Sequence, residues 1–256
     1  MEHESTAVLV VGGSLVGLSA AVFLASRGVA TIVVERHAGS SVHPRAVGFT
    51  PRTMELFRGV GLGEEIPQTP ADFRLRRARV ESLAGRWLDE SPWTPGDGRA
   101  SSSVELSPCT GAAIAQDRLE PILRTRAATL GADIRPSTEL RAFTQDAAGV
   151  HAHVSTRDGE AYEIRAPYMI AADGGKSAIR QALGLGLRGR GPMRTLRSVL
   201  FRAPLEEYLA RGIVQFEVER DDFKGFLTTY GDGRWVLMMG DDEERDECQL
   251  RRAVQG

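Results

Sequence analysis

The chain has 256 residues, 42% of them hydrophobic, enough for one large or two modest domains with a real core. Lys and Arg total 32 against 34 Asp and Glu, and the resulting net charge of −2 leaves no electrostatic footprint for nucleic acid or an anionic membrane. Cys109 and Cys248 lie far apart without a CxxC partner, which argues against a disulfide scaffold or a cysteine metal site. No run reaches the roughly 18 apolar residues a membrane helix needs, and MEHEST has no basic stretch leading into an apolar one. The chain therefore reads as a cytoplasmic, globular α/β protein. Nothing in these quantities decides whether it forms a homo-oligomer.

Ala7 to Val11 form an unbroken apolar run, as a parallel strand buried on both faces requires, and Gly12, Gly13 and Gly17 follow directly. Leu15, Leu18, Ala21, Val22 and Ala25 then recur at helical spacing up to Arg27, with Gly28 placed to end the helix in a left-handed conformation. Ala30 to Val34 return as a second strand that closes on Glu35. This is a dinucleotide-binding βαβ unit. Gly12 allows the sharp turn, Gly17 lets the helix pack closely on the strand, and the first helical turn, reached through Ser14, Leu15 and Val16, points its N–H groups at a pyrophosphate. Glu35 stands eighteen residues beyond Gly17, where a carboxylate accepts from a ribose diol and disfavours a 2′-phosphate, so the ligand is FAD or NAD. The fingerprint's middle glycine is replaced by Ser14. Its hydroxyl either donates to a phosphate oxygen or the turn shifts to accommodate it.

An irregular loop, RHAGSSVHPRAVGF, leads to Thr50 and Pro51 as N-cap and first-turn proline of a helix reaching about Arg58. From Asp72 the chain alternates as a hairpin turning near Ala84 and Gly85, and residues 92–108 form a Ser, Gly and Pro-rich connection. Asp117 is expected to cap a helix running to Leu130, with Glu120 reaching back to it and Gln116 standing just before the cap. Three alternating segments from Glu139 to Ala166 predict an antiparallel meander, Tyr168 to Ala172 a buried strand ending on Asp173 and Gly174, and Ser177 to Leu183 a short helix. His151 and His153 alternate on one face of the meander without a third ligand at metal spacing, and read as solvent-facing. Asp241 to Asp246 read as a solvated loop or helix start. Beyond Gly191 strands dominate.

The N-terminal βαβ unit, the arginine loop, the glutamine before a helix and the strand ending in Asp-Gly together resemble the FAD-dependent aromatic hydroxylases of the para-hydroxybenzoate hydroxylase type. The resemblance covers most of residues 6–185. It is closest to actinobacterial enzymes acting on polyketides, in VLVVGGSLVGLSAAVFLASRGV and HPRAVGFTPRTMELFRGVGL. It implies a Rossmann-like FAD-binding domain over residues 1–185, with 72–108 reaching toward an incomplete β-rich substrate domain over 186–256. It further implies FAD pyrophosphate over Gly12 to Gly17, adenosine ribose on Glu35, Arg36 beside the adenine, and Arg45 touching FAD and meeting a transient NAD(P)H donor. Gln116 would lie against the ribityl chain, and Asp173 and Gly174 would link the flavin and nicotinamide sites. No side chain is assigned as catalytic, because the oxygen chemistry belongs to the flavin.

Family members run to about twice this length and return to a Gly-Asp motif on the ribityl chain. Gly240-Asp241, followed by an acidic run, does not supply it, so the chain is expected to be the N-terminal half of a longer protein and inactive alone. The implied function is hydroxylation of an aromatic or polyketide substrate in secondary metabolism. The alternatives are a polyketide cyclase that keeps FAD as a structural element and a non-catalytic FAD-binding fragment.

Overall fold

A computed structural model describes residues 3–70, 73–93, 106–240 and 248–249. In chain order its first elements are β1 (His3–Ser5), β2 (Val8–Val11), α1 (Leu15–Ala25), β3 (Thr31–Glu35), β4 (Gly48–Phe49), α2 (Pro51–Gly59), β5 (Arg76–Val80) and β6 (Trp87–Pro92). Then come β7 (Ala112–Ala113), α3 (Gln116–Thr129), β8 (Asp133–Pro136), β9 (Thr138–Asp146), β10 (Gly149–Thr156), β11 (Ala161–Ala166), β12 (Tyr168–Ala171) and α4 (Ala178–Ala182). The last are β13 (Leu196–Arg202), α5 (Glu206–Ala210), β14 (Ile213–Arg220), β15 (Phe223–Thr229) and β16 (Arg234–Gly240). They divide into two units, the first built from Met1–Val47, Thr53–Pro67 and Ala115–Leu187, the second from Gly48–Arg52, Gln68–Ile114 and Arg188–Gly256.

The first unit is centred on a parallel sheet in the order β12-β2-β3-β8. All four residues of β2 are buried because both faces are covered. On one face Leu9, Val11, Ile32 and Val34 pack against Ala152, Val154, Ile164 and Ala166 of a second sheet, β1-β11-β10-β9. On the other, α1 and α3 pack against each other and bury Leu18, Ala21, Val22, Leu119, Leu123 and Ala127. Each fully buried Leu or Val there contributes roughly 1.5–3 kcal/mol. The meander falls where alternation predicts it, whereas α1 stops at Ala25, short of the expected Arg27, and Gly28 at φ 73° closes the turn that follows it.

Two expectations are corrected, and one strand is unforeseen. Strand β1 has no sequence signal: its residues, His-Glu-Ser, are exposed and join the meander by parallel pairing to β11. Helix α3 starts two residues earlier than the acidic cap suggested, with Ala115 in place of Asp117 as N-cap at ψ 143°, Gln116 as its first residue, and no side-chain cap. Strand β12 is the edge of its sheet, so Tyr168 is 72% exposed instead of buried.

In the second unit a six-stranded sheet runs β13-β16-β15-β14-β5-β6. The β5–β6 hairpin joins it by parallel pairing of β5 to β14. Phe216 and Trp235, both fully buried, centre its core with Ala78, Val80, Ile213, Leu237 and Met239, and α5 adds Tyr208 and Leu209. Strands β4 and β7 form a separate ribbon. The connection at 94–105 and the acidic run at 241–246 lie outside the described residues.

Candidate FAD site

The glycine turn is shaped by backbone contact. A Cβ on Gly17 would stand 1.8 Å from the Gly12 carbonyl oxygen, and one on Gly12, at φ 111°, would stand 2.3 Å from the Ala172 oxygen. Helix and strand approach so closely here that only hydrogen fits. Gly13 is equally confined, because its Cβ would meet the Glu35 Cβ at 2.7 Å. The last residues of β2, β3 and β12 are thereby gathered at one end of the parallel sheet, the end where open α/β sheets bind ligands.

Helix α1 opens on this turn with no acidic residue in its first turn and no side-chain cap from Ser14. Its first intrahelical bond runs from Leu18 N–H to the Ser14 carbonyl, so the N–H groups of Leu15, Val16 and Gly17 precede the ladder, with Val16 71% exposed. Such a terminus favours an anion. Glu35 sits beside it. Its Oε2 accepts from Gly13 N–H at 2.6 Å, and its Oε1 accepts from His37 N–H at 2.8 Å and lies 2.6 Å from the His37 ring Nδ1. Burial pushes the Glu35 carboxyl up, but the bonds from Gly13 and His37 outweigh it and hold the group below the usual glutamate value. An ionised carboxylate offers about four acceptor positions, which leaves Oε2 able to accept a further hydroxyl. The turn and Glu35 therefore fit the pyrophosphate and ribose of an adenine dinucleotide.

Arg36 follows as an exposed residue. Arg45 has an exposed side chain, while its backbone N–H donates to Gln116 Oε1 at 3.2 Å and Gln116 N–H donates to the Ala46 carbonyl at 2.9 Å. Gln116 Nε2 donates to Ser14 Oγ at 3.0 Å and to Glu120 Oε1 at 2.8 Å, and Ser14 Oγ donates to Glu120 Oε1 at 2.6 Å. The Gln116 amide nitrogen thus donates into the protein. Glu120, expected to reach back along its own helix, points instead into this cluster and is 2% exposed. Its sequence signal was an acid in the buried register 116, 119, 123 and 127.

Asp173 follows β12 directly. Its Oδ2 accepts from Ile179 N–H at 3.1 Å, and Ser177 caps α4 by accepting from Arg180 N–H at 2.9 Å. Burial raises the Asp173 carboxyl, but hydrogen bonds from Ser177 and the start of α4 bring it below the usual aspartate range. Gly174 takes φ 89° with open space around it, and Arg180 donates to the Gly175 carbonyl at 2.9 Å. All twelve sequence-derived positions lie in the first unit.

Elsewhere, His151 and His153 lie half-buried on β10, and the His151 ring stands 3.2 Å from Asp146 and 3.4 Å from Glu163. No group of metal ligands occurs among the described residues. Cys109 is buried and Cys248 exposed. No described helix is long and apolar enough to cross a membrane. The second unit carries a depression lined by Leu196, Phe226 and Met238 together with Arg194, Glu217 and Lys224.

Comparison with known proteins places the chain in a family. The FAD binding domain family model matches residues 5–253. A tetracenomycin B2 monooxygenase-dioxygenase of Streptomyces olivaceus is 38% identical over 253 residues, covering 93% of this chain and 47% of that protein. Aklavinone 12-hydroxylase of Streptomyces purpurascens is 38% identical over 262 residues, covering 96% and 48%. Among solved structures, a ternary complex of aklavinone-11 hydroxylase with FAD and aklavinone superposes with a TM-score of 0.82 at 35% identity, covering 100% of this chain and 50% of that one. The rebeccamycin biosynthetic enzyme RebC with reduced flavin gives 0.84 at 31%, covering 98% and 49%. The chain spans about half the length of the relatives it matches. Its glycine turn, its terminal acid and a match that runs nearly end to end show that the chain belongs to the FAD-binding domain family of flavoproteins.

Proposed function

We propose that the whole protein is a cytoplasmic, NAD(P)H-using, FAD-dependent monooxygenase that hydroxylates an aromatic or polyketide substrate. The observation that carries this reading is the Gly12–Gly17 turn with Glu35 bound across it, in a chain whose relatives are named as a tetracenomycin monooxygenase-dioxygenase and an aklavinone hydroxylase. The first-turn N–H groups of α1 would hold the pyrophosphate, and Glu35 would accept from the adenosine ribose. Arg36 would lie beside the adenine. Arg45, held by its backbone to Gln116, would reach FAD and the nicotinamide donor, its fixed fork of N–H groups suiting phosphate oxygens. The Gln116 carbonyl keeps a lone pair for the ribityl chain, while its amide nitrogen donates to Ser14 and Glu120. Asp173 would act by fixing α4, so that the backbone at Gly174 meets the cofactor.

Bound FAD supplies electron transfer from the nicotinamide and activation of O2; the protein binds, orients and excludes water. The depression on the second unit, with Leu196, Phe226 and Met238, offers apolar contact for an aromatic substrate. The test is the purified full-length protein, which should be yellow with extractable FAD and should consume NADPH and O2 in step with hydroxylation of an anthracyclinone such as aklavinone. A protein that binds FAD yet converts a polyene substrate without consuming NADPH would overturn the monooxygenase assignment in favour of a cyclase.

A further inference from the structure

The Ser14 hydroxyl occupies the place where the dinucleotide fingerprint has no side chain, and it is bonded inside the protein. It donates to Glu120 Oε1 at 2.6 Å and accepts from Gln116 Nε2 at 3.0 Å, while the same Glu120 oxygen accepts from Gln116 Nε2 at 2.8 Å. Glu120 is 2% and Gln116 7% exposed, so neither can exchange these partners for bulk water. Leaving one of them unpaired is costly.

The direction of every bond follows from one atom. With Glu120 Oε1 as a shared acceptor, the Ser14 O–H and the Gln116 NH2 must both point at it. The Gln116 carbonyl is then turned to the far side, where it meets the backbone N–H of Arg45. That N–H can only donate, which independently fixes the same amide orientation. Gln116 N–H closes the loop on the Ala46 carbonyl.

We infer that Glu120 is a positioning residue for the FAD site: it orients Ser14 and Gln116 and, through Gln116, ties the 45–46 loop to the pyrophosphate turn. The Ser14 hydroxyl is accordingly a structural link and not a phosphate ligand. This rests on the reading that the turn binds FAD, which wild-type FAD affinity tests separately.

The experiment measures FAD affinity of the full-length protein by quenching of flavin fluorescence for wild type, Ser14→Ala, Glu120→Leu, Glu120→Gln and the double variant Ser14→Ala/Glu120→Leu. Leucine suits the apolar stripe of Leu119, Leu123 and Ala127, and glutamine keeps an acceptor oxygen. Glu120→Leu should weaken FAD binding about tenfold, Glu120→Gln should stay within about threefold of wild type, and Ser14→Ala should add nothing in the Glu120→Leu background. A further loss on adding Ser14→Ala, or Glu120→Leu binding FAD like wild type, overturns the inference. Should Glu120→Leu not fold, hydrogen exchange in Ser14→Ala decides. The amide of Arg45, which Ser14 does not bond, should exchange several-fold faster than in wild type; unchanged exchange there overturns the link. Failure of wild type to bind FAD would instead refute the cofactor reading itself.

Discussion

At Gly17 the contact to the Gly12 carbonyl, 1.8 Å from a methyl carbon that is not there, leaves no room for the smallest substitution. Gly17→Ala must push α1 off β2, at a cost of about 1–3 kcal/mol or more from overpacking, and with it move the N–H groups that face the pyrophosphate. FAD affinity by calorimetry should fall by more than tenfold; retention of wild-type affinity would mean that the turn is not the cradle. Glu35 carries the pH dependence. Its folded pKa lies below the usual value of 4.5, so its contribution is complete above that value and is lost as pH falls through the lowered one. Urea midpoints taken from pH 7 to pH 3.5 should decline more steeply for wild type than for Glu35→Gln, and parallel profiles would remove Glu35 as a source of acid sensitivity. Gly12, Gly17 and Glu35 are legible in the sequence because their spacing is local. The partner of Ser14 is not, since Glu120 lies 106 residues away and only the packing of α3 on α1 brings it near.

Among the elements, α4 is too short to be stable by itself and depends on what satisfies its first N–H groups. Ser177 serves Arg180 N–H and Asp173 serves Ile179 N–H, so the Asp-Gly segment is both the end of a strand and the cap of the next helix. Ser177→Ala should cost about 1 kcal/mol in stability and speed hydrogen exchange over 178–182, leaving α1 protected. Unchanged exchange in α4 would show that Asp173 alone holds its start. Strand and helix positions in this unit follow from alternation and from glycine stops, which is why the meander and α1 were readable. Strand β1 was not, because its exposed His-Glu-Ser carries no pattern and forms only against β11. The start of α3 departs from its sequence signal for a related reason: Asp117 has the chemistry of a cap, but tertiary bonds on Gln116 draw the N-cap two residues earlier, to Ala115.

At the scale of the whole molecule, chain order and spatial order part company. Strand β5, with β6 on its outer side, lies beside β14 in space although Arg76 and its partner Ile213 stand far apart in sequence, and no local pattern announces a parallel pairing of that separation. The core they complete is centred on Phe216, whose ring lies 5.2 Å from Tyr208, 6.0 Å from Trp87 and 6.2 Å from Trp235. Truncating it opens a cavity among aromatic groups that have no short side chains to collapse inward, so Phe216→Ala should cost about 3–5 kcal/mol. Phe216→Leu, which keeps most of the volume, should cost less. The three tryptophans of this sequence, Trp87, Trp93 and Trp235, all belong to the second unit, which makes their fluorescence a local reporter of its unfolding. In urea titrations of the 256-residue chain the Trp-detected midpoint should fall in the order wild type, Phe216→Leu, Phe216→Ala. A loss under about 1 kcal/mol for the alanine variant would mean that the sheet is held by its hydrogen-bonded ladder and rim, and that the aromatic cluster is not the origin of its stability.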